Sequence, residues 1–298
     1  MKIGEKIKKL RIEKSMTQSE LAGNFITRNM LSLIESGSAQ PSLPTVIYLA
    51  ERLNVPPGIL VSDDNDEYFY RRMSRMENIR RAFAAKDYRI CLDLCRSLRD
   101  DEADDSELDL ICAECLLGVA KEEFFRGNLK ASVALFDEAC DCAAKTVYNT
   151  SHILAESCVY CTYMKGISPS LYADCADLEI PHGLAHSDDF CRYVGMLTMM
   201  DNGKRDDVAL YVSEDRKKDV YTVHLHAKLE MIGKDHAEAR HLLLDILNSD
   251  ERVAFPVMYD VFRDLEICCR ESGDFKGAYE YSGDKVVMLE KMLSEDSL

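Results

Sequence analysis

No uninterrupted apolar run in this chain of 298 residues approaches the ~20 that cross a bilayer, which excludes a membrane-spanning helix and a membrane partner. The opening stretch MKIGEKIKKLRIEK is charged and lacks the apolar centre of a secretory signal, so a soluble, cytoplasmic protein is expected. Strand patterning is nearly absent as well. The few β-branched residues fall inside helical patterns, which leaves an all-α chain. Also missing are a glycine-rich phosphate loop, a serine elbow, and a histidine–carboxylate set tied to a nucleophile. The chain is therefore not expected to be an enzyme, and no cofactor is expected.

What is present divides by position. The length suits two domains better than one small core. The formal net charge is -16, yet residues 1–62 hold eight Lys/Arg against five acids, so the remainder carries all of the negative excess. A weakly basic head on an acidic body can hold a polyanion at one end while the body repels it, although acidity also serves plain solubility.

The head, 1–62, reads as five short helices. Ile3, Ile7 and Leu10 share one face of the first, with basic residues opposite. Thr17-Gln18-Ser19-Glu20 has the form of a capping box that starts a second helix through Leu21 and Ala22. Gly23-Asn24 supplies a tight turn, Thr27 caps a third helix from Arg28 to Glu35, and Gly37 ends it. Ser42 caps a fourth, with Pro44 in its first turn, and Pro56-Pro57 opens a last short turn. The run Ser62-Asp63-Asp64-Asn65-Asp66 is polar, so a linker is placed at 63–67.

Leu21, Ala22, Ile26, Leu31 and Ile34 are spaced to pack the second and third helices across one another, with small Ala22 at the crossing. That leaves Thr27, Arg28, Asn29 and Ser32 on an open face of the third helix. Arg can bond guanine O6 and N7 together, and Asn can do the same for adenine N6 and N7. Arg28, Asn29 and Ser32 are thus candidate base contacts, and Gln18, Thr27, Lys6 and Lys9 are candidate phosphate contacts. The segment TQSELAGNFITRNMLSLIESG resembles the helix-turn-helix of the phage-repressor (XRE) family, over about residues 1–62. The resemblance implies a partner in double-stranded DNA. Three features depart from the family pattern: a turn one residue short and without its usual glycine, Leu33 where a polar base-reader is common, and no basic residue in Ser38-Ala39-Gln40. Fewer phosphate contacts weaken a monomer, so a homodimer is expected on DNA.

Over 68–298, short turns recur at intervals of roughly 31–41 residues, at Lys86-Asp87, Gly127-Asn128, Gly166-Ile167, Asn202-Gly203, Gly233-Lys234 and Gly273-Asp274. This spacing is that of a tetratricopeptide-like α-helical solenoid, in which stacked helix pairs build a concave surface. The combination of head and body resembles the peptide-pheromone-responsive regulators called the RRNPP group. It implies a body that dimerises and binds a short linear peptide, which in turn modulates transcription. Asn149, Tyr160 and Tyr163 are candidates for meeting the peptide backbone, and interhelix packing is the competing reading of each.

Two other inputs stay open. The body can instead be a scaffold for another protein. Cys91/Cys95, Cys112/Cys115 and Cys158/Cys161 fall three or four apart, so two pairs could make a four-thiolate metal or redox site. Their apolar neighbours favour a helix interior that uses cysteine as a small hydrophobe, and no metal is assigned. His224 and His226 fall on opposite sides of one helix and are not a ligand pair.

Overall fold

The computed structural model describes residues 2–61, 64–98, 105–169, 188–214 and 219–294. Among the described residues it is all-α, with sixteen helices and no strand. It divides into two compact units, Met1–Asp100 and Asp101–Leu298.

The first unit opens with α1 (Ile3–Glu13), α2 (Gln18–Ala22), α3 (Arg28–Glu35), α4 (Leu43–Arg52) and α5 (Pro57–Val61). Each expected cap forms. Thr17 accepts from the Glu20 amide at 3.2 Å, and Glu20 accepts in return from the Thr17 amide at 2.6 Å. Thr27 accepts from the Met30 amide at 3.1 Å and Ser42 from that of Thr45 at 3.4 Å. Ile7, Leu21, Ala22, Leu31, Ile34, Val46, Leu49 and Leu60 form one buried core, with Ile26 partly buried against it. Gly4 lies so close to the Ile34 carbonyl that a Cβ there would overlap the oxygen, and this brings α1 tightly onto α3.

The run expected as a linker, 63–67, overlaps the start of a helix. α6 (Asp64–Ala84) starts inside that run, packs against α5, and pairs with α7 (Tyr88–Leu98). A run of acids reads as a linker by polarity, but acids are also what the positive end of a helix dipole favours. The α6–α7 pair therefore belongs with the head in one compact unit, not with the body that follows.

The second unit holds three close helix pairs: α8 (Ser106–Arg126) with α9 (Leu129–Lys145), α13 (Val220–Gly233) with α14 (His236–Leu247), and α15 (Phe255–Glu271) with α16 (Phe275–Leu293). Between the first two lie α10 (Ser151–Ile167), α11 (Asp189–Asp201) and α12 (Arg205–Glu214). Contacts run from α9 to α10, α10 to α11, α11 to α12 and α13, and α14 to α15. They also return from α8 to α15 and from α9 to α16, so the first pair of this unit meets the last. Gly127, in the left-handed region at φ +87°, makes the α8–α9 turn and leaves room for the Phe255 ring against its backbone.

Candidate nucleic-acid interface

The third helix is tied to the first two through Glu35, which leaves one of its faces open. Arg11 donates to Glu35 from Nε at 2.7 Å and from Nη2 at 3.0 Å, and also to the Met16 carbonyl at 2.9 Å. Gln18 Nε2 donates to Glu35 Oε2 at 2.9 Å, so α1, α2 and α3 converge on one buried carboxylate. Burial pushes the Glu35 carboxyl up, but the bonds from Arg11 and Gln18 and the charge of Arg11 outweigh it and hold it below the usual range. On the other side, Tyr48 donates to the Ala22 carbonyl at 3.2 Å and Arg52 to that of Glu20 at 2.6 Å. Gly23 has φ +52°, and the Tyr48 hydroxyl occupies the place of its missing Cβ; the glycine that shapes this turn thus stands earlier than in the phage-repressor pattern.

What remains free is the polar face expected from the spacing. Arg28, Asn29 and Ser32 are all exposed, and among the described residues their side chains make no hydrogen bond or ion pair within the chain. Met30 and Leu33, 45% and 47% exposed, flank them with apolar surface suited to thymine methyls. Thr27 is exposed at the N-terminus of α3, where free backbone N–H groups attract a phosphate. Gln18 is half-buried, and its amide is committed to Glu35, so it orients α3 as well as bordering the surface.

Lys9 is exposed, as a phosphate contact must be, and so is its neighbour Lys8, which the sequence reading did not select. Lys6 is a correction. It is 2% exposed, with its ammonium 3.5 Å from the Ile59 carbonyl. It falls beside Ile7 on the side of α1 that packs against α5, so it lies inside the unit.

In the second unit Tyr160 and Tyr163 come together on the rings of Phe124 and Phe190, and Asn149 stands apart from them. Asn149 is exposed just before α10, where its side chain accepts from the Ser151 amide at 3.0 Å. Tyr160 is 1% exposed among Phe124, Phe136 and Phe190, and its hydroxyl donates to Asp188 at 2.9 Å. Burial and the Asp188 charge push that phenol well above its ordinary range. Tyr163 donates to Asp260 of α15 at 2.6 Å. Packing thus claims Tyr160, and Tyr163 cross-links two helices.

Sequence reasoning missed the partners of these tyrosines. Lys121 of α8 lies 2.8 Å from Asp188 and also pairs with Glu156. Fully buried His224 bridges the Tyr193 hydroxyl at 2.8 Å and Asp264 at 3.0 Å, while Lys228 reaches Asp264 at 2.5 Å. Burial and the nearby Lys228 charge hold the imidazole below its ordinary range. These groups come from α8, α10, α11, α13 and α15, too far apart in sequence for spacing to expose them. Cys91, Cys95, Cys112, Cys115 and Cys158 are buried, and burial pushes the Cys158 thiol up, away from reactive thiolate. Among the described residues no group of His, Cys, Asp and Glu is arranged to hold a metal ion, and no helix is long and apolar enough to cross a membrane.

Residues 7–60 match the family model HTH_3, described as Helix-turn-helix. This part of the chain is a helix-turn-helix domain of the phage-repressor (XRE) type. No curated protein matches the chain. Among solved structures, PlcR of Bacillus thuringiensis in complex with the peptide PapR7 and DNA is 15% identical, with 99% of each chain covered and a TM-score of 0.22. ComR from S. thermophilus, in complex with DNA and its signalling peptide ComS, is 16% identical over 96% of this chain and 99% of that one, with a TM-score of 0.26. The Streptococcus dysgalactiae SHP pheromone receptor Rgg2 is 12% identical over 95% and 98%, with a TM-score of 0.20. Likeness at these scores is too loose to bear on the arrangement or the ligands of this chain.

Proposed function

We propose that this protein is a sequence-specific transcription regulator that binds double-stranded DNA as a homodimer and whose helical-repeat unit takes a short linear peptide as effector. The observation that carries the DNA reading is the open face of α3, where Arg28, Asn29 and Ser32 stand unpaired on a helix fixed by Arg11, Glu35 and Gln18. Bidentate donors and acceptors left free on a rigid helix suit the base edges of a major groove. Two copies spaced for half-sites one turn apart make up for the thin set of phosphate contacts.

The peptide reading rests on the second unit's stacked helix pairs and on the charged and hydroxyl groups between them. Lys121, Tyr163, Lys228, Asp260 and Arg263 are half-buried or buried on α8, α10, α13 and α15, where main-chain amides and terminal charges of an extended ligand would find partners. The test is a fluorescence-anisotropy titration on DNA from upstream of the protein's own gene, with and without a peptide-sized fraction of spent culture medium. A shift in affinity supports an effector-gated regulator. Specific binding with no shift removes the peptide part.

A further inference from the structure

The outer face of α16 is apolar where a helix facing water should be polar. Phe275 is 73% exposed, Tyr279 80%, Val286 48% and Val287 64%, and they follow one another at helical spacing. Gly283 stands in the middle of this stripe, exposed, with open space where a Cβ would point. A glycine inside a helix costs about 1 kcal/mol relative to alanine, and nothing among the described residues requires it here. Its usual compensation is the close approach of another backbone.

The charges around Gly283 specify what approaches. Lys276 and Glu290 lie equally far from it in opposite directions, and so do Tyr279 and Val287. If a second α16 lies antiparallel with Gly283 on the two-fold axis, each residue faces the one equally distant on the other side. Lys276 of each copy then meets Glu290 of the other, and Tyr279 meets Val287. Lys276 and Glu290 are both exposed; within the chain Lys276 is only 3.7 Å from Glu280, a solvated pair of small worth. We infer that the outer face of α16 is a self-complementary docking surface for α16 of a second copy of this chain. This rests on the homodimer reading above and assigns that dimer its contact.

The full chain is compared with its variants by sedimentation equilibrium. Wild type is expected to be a dimer. Lys276→Glu, which sets like charges against Glu290, is expected to weaken it roughly tenfold, and Lys276→Glu with Glu290→Lys to restore it. Gly283→Cys is expected to cross-link the dimer under mild oxidation, because the axis brings residue 283 of each copy together, whereas wild type does not cross-link. A dimer indifferent to Lys276→Glu, or one the double swap fails to restore, overturns the α16 contact while leaving the homodimer standing. A chain that is monomeric both free and on DNA overturns both.

Discussion

Arg11 holds both carboxylate oxygens of Glu35, from Nε at 2.7 Å and from Nη2 at 3.0 Å, and so ties the first helix to the recognition helix. The two side chains are 12% and 3% exposed, so the pair is largely shielded from water. Removing one partner of such a pair strands the other. Arg11→Met is expected to cost about 3–5 kcal/mol in urea unfolding, and Arg11→Met with Glu35→Leu to recover most of that loss. If the double variant is no more stable than the single one, the pair is not what joins these helices.

The same pair sets a pH dependence. The folded carboxyl of Glu35 lies below its ordinary value, so the unfolded chain binds the proton more tightly. Its contribution is fully present at neutral pH and is lost as pH falls from the ordinary carboxyl value through the lowered one. Glu35→Gln should therefore flatten the acid limb of the first unit's stability. An acid limb unchanged in Glu35→Gln would contradict this assignment.

Gly4 is the second point where α1 meets α3. Because a Cβ there overlaps the Ile34 carbonyl oxygen, Gly4→Ala is expected to cost about 1–3 kcal/mol or more, although alanine is the better helix former. A neutral or stabilising Gly4→Ala, read by thermal unfolding, would show that α1 does not pack this closely.

Local chemistry made much of the first unit legible. Thr17, Thr27 and Ser42 cap the helices they precede because a cap depends only on the next three residues. The open face of α3 followed from spacing as well. Lys6 was misread because its burial depends on α5, a helix far along the chain, whose Ile59 carbonyl it approaches. The tyrosines failed for a similar reason: Tyr163 and its Asp260 partner are 97 residues apart, and no period in the sequence connects them.

That partnership carries its own consequence. Tyr163→Phe removes a donor to a carboxylate between α10 and α15, and is expected to destabilise the second unit by roughly 1.5–3 kcal/mol in urea unfolding. It should leave DNA affinity in the absence of effector unchanged. A full-strength second unit in Tyr163→Phe would mean that this bond does not join the two helices.

Lys6 and Lys9 offer a paired contrast on one helix. Lys9→Ala should lower the slope of log affinity for DNA against log salt by about two for the homodimer, about one for each copy, whereas Lys6→Met should leave that slope alone. Equal slopes for Lys9→Ala and wild type would remove Lys9 from the phosphate contacts.

Whether α3 reads base sequence is decided by selecting a DNA site with the wild-type protein and titrating Arg28→Ala and Asn29→Ala against it at fixed salt. Each variant is expected to lose about 1–3 kcal/mol per half-site on the selected DNA, with relaxed preference at one base position of each half-site and unchanged binding to random DNA. Site-specific affinity equal to wild type in both variants would contradict base reading by α3.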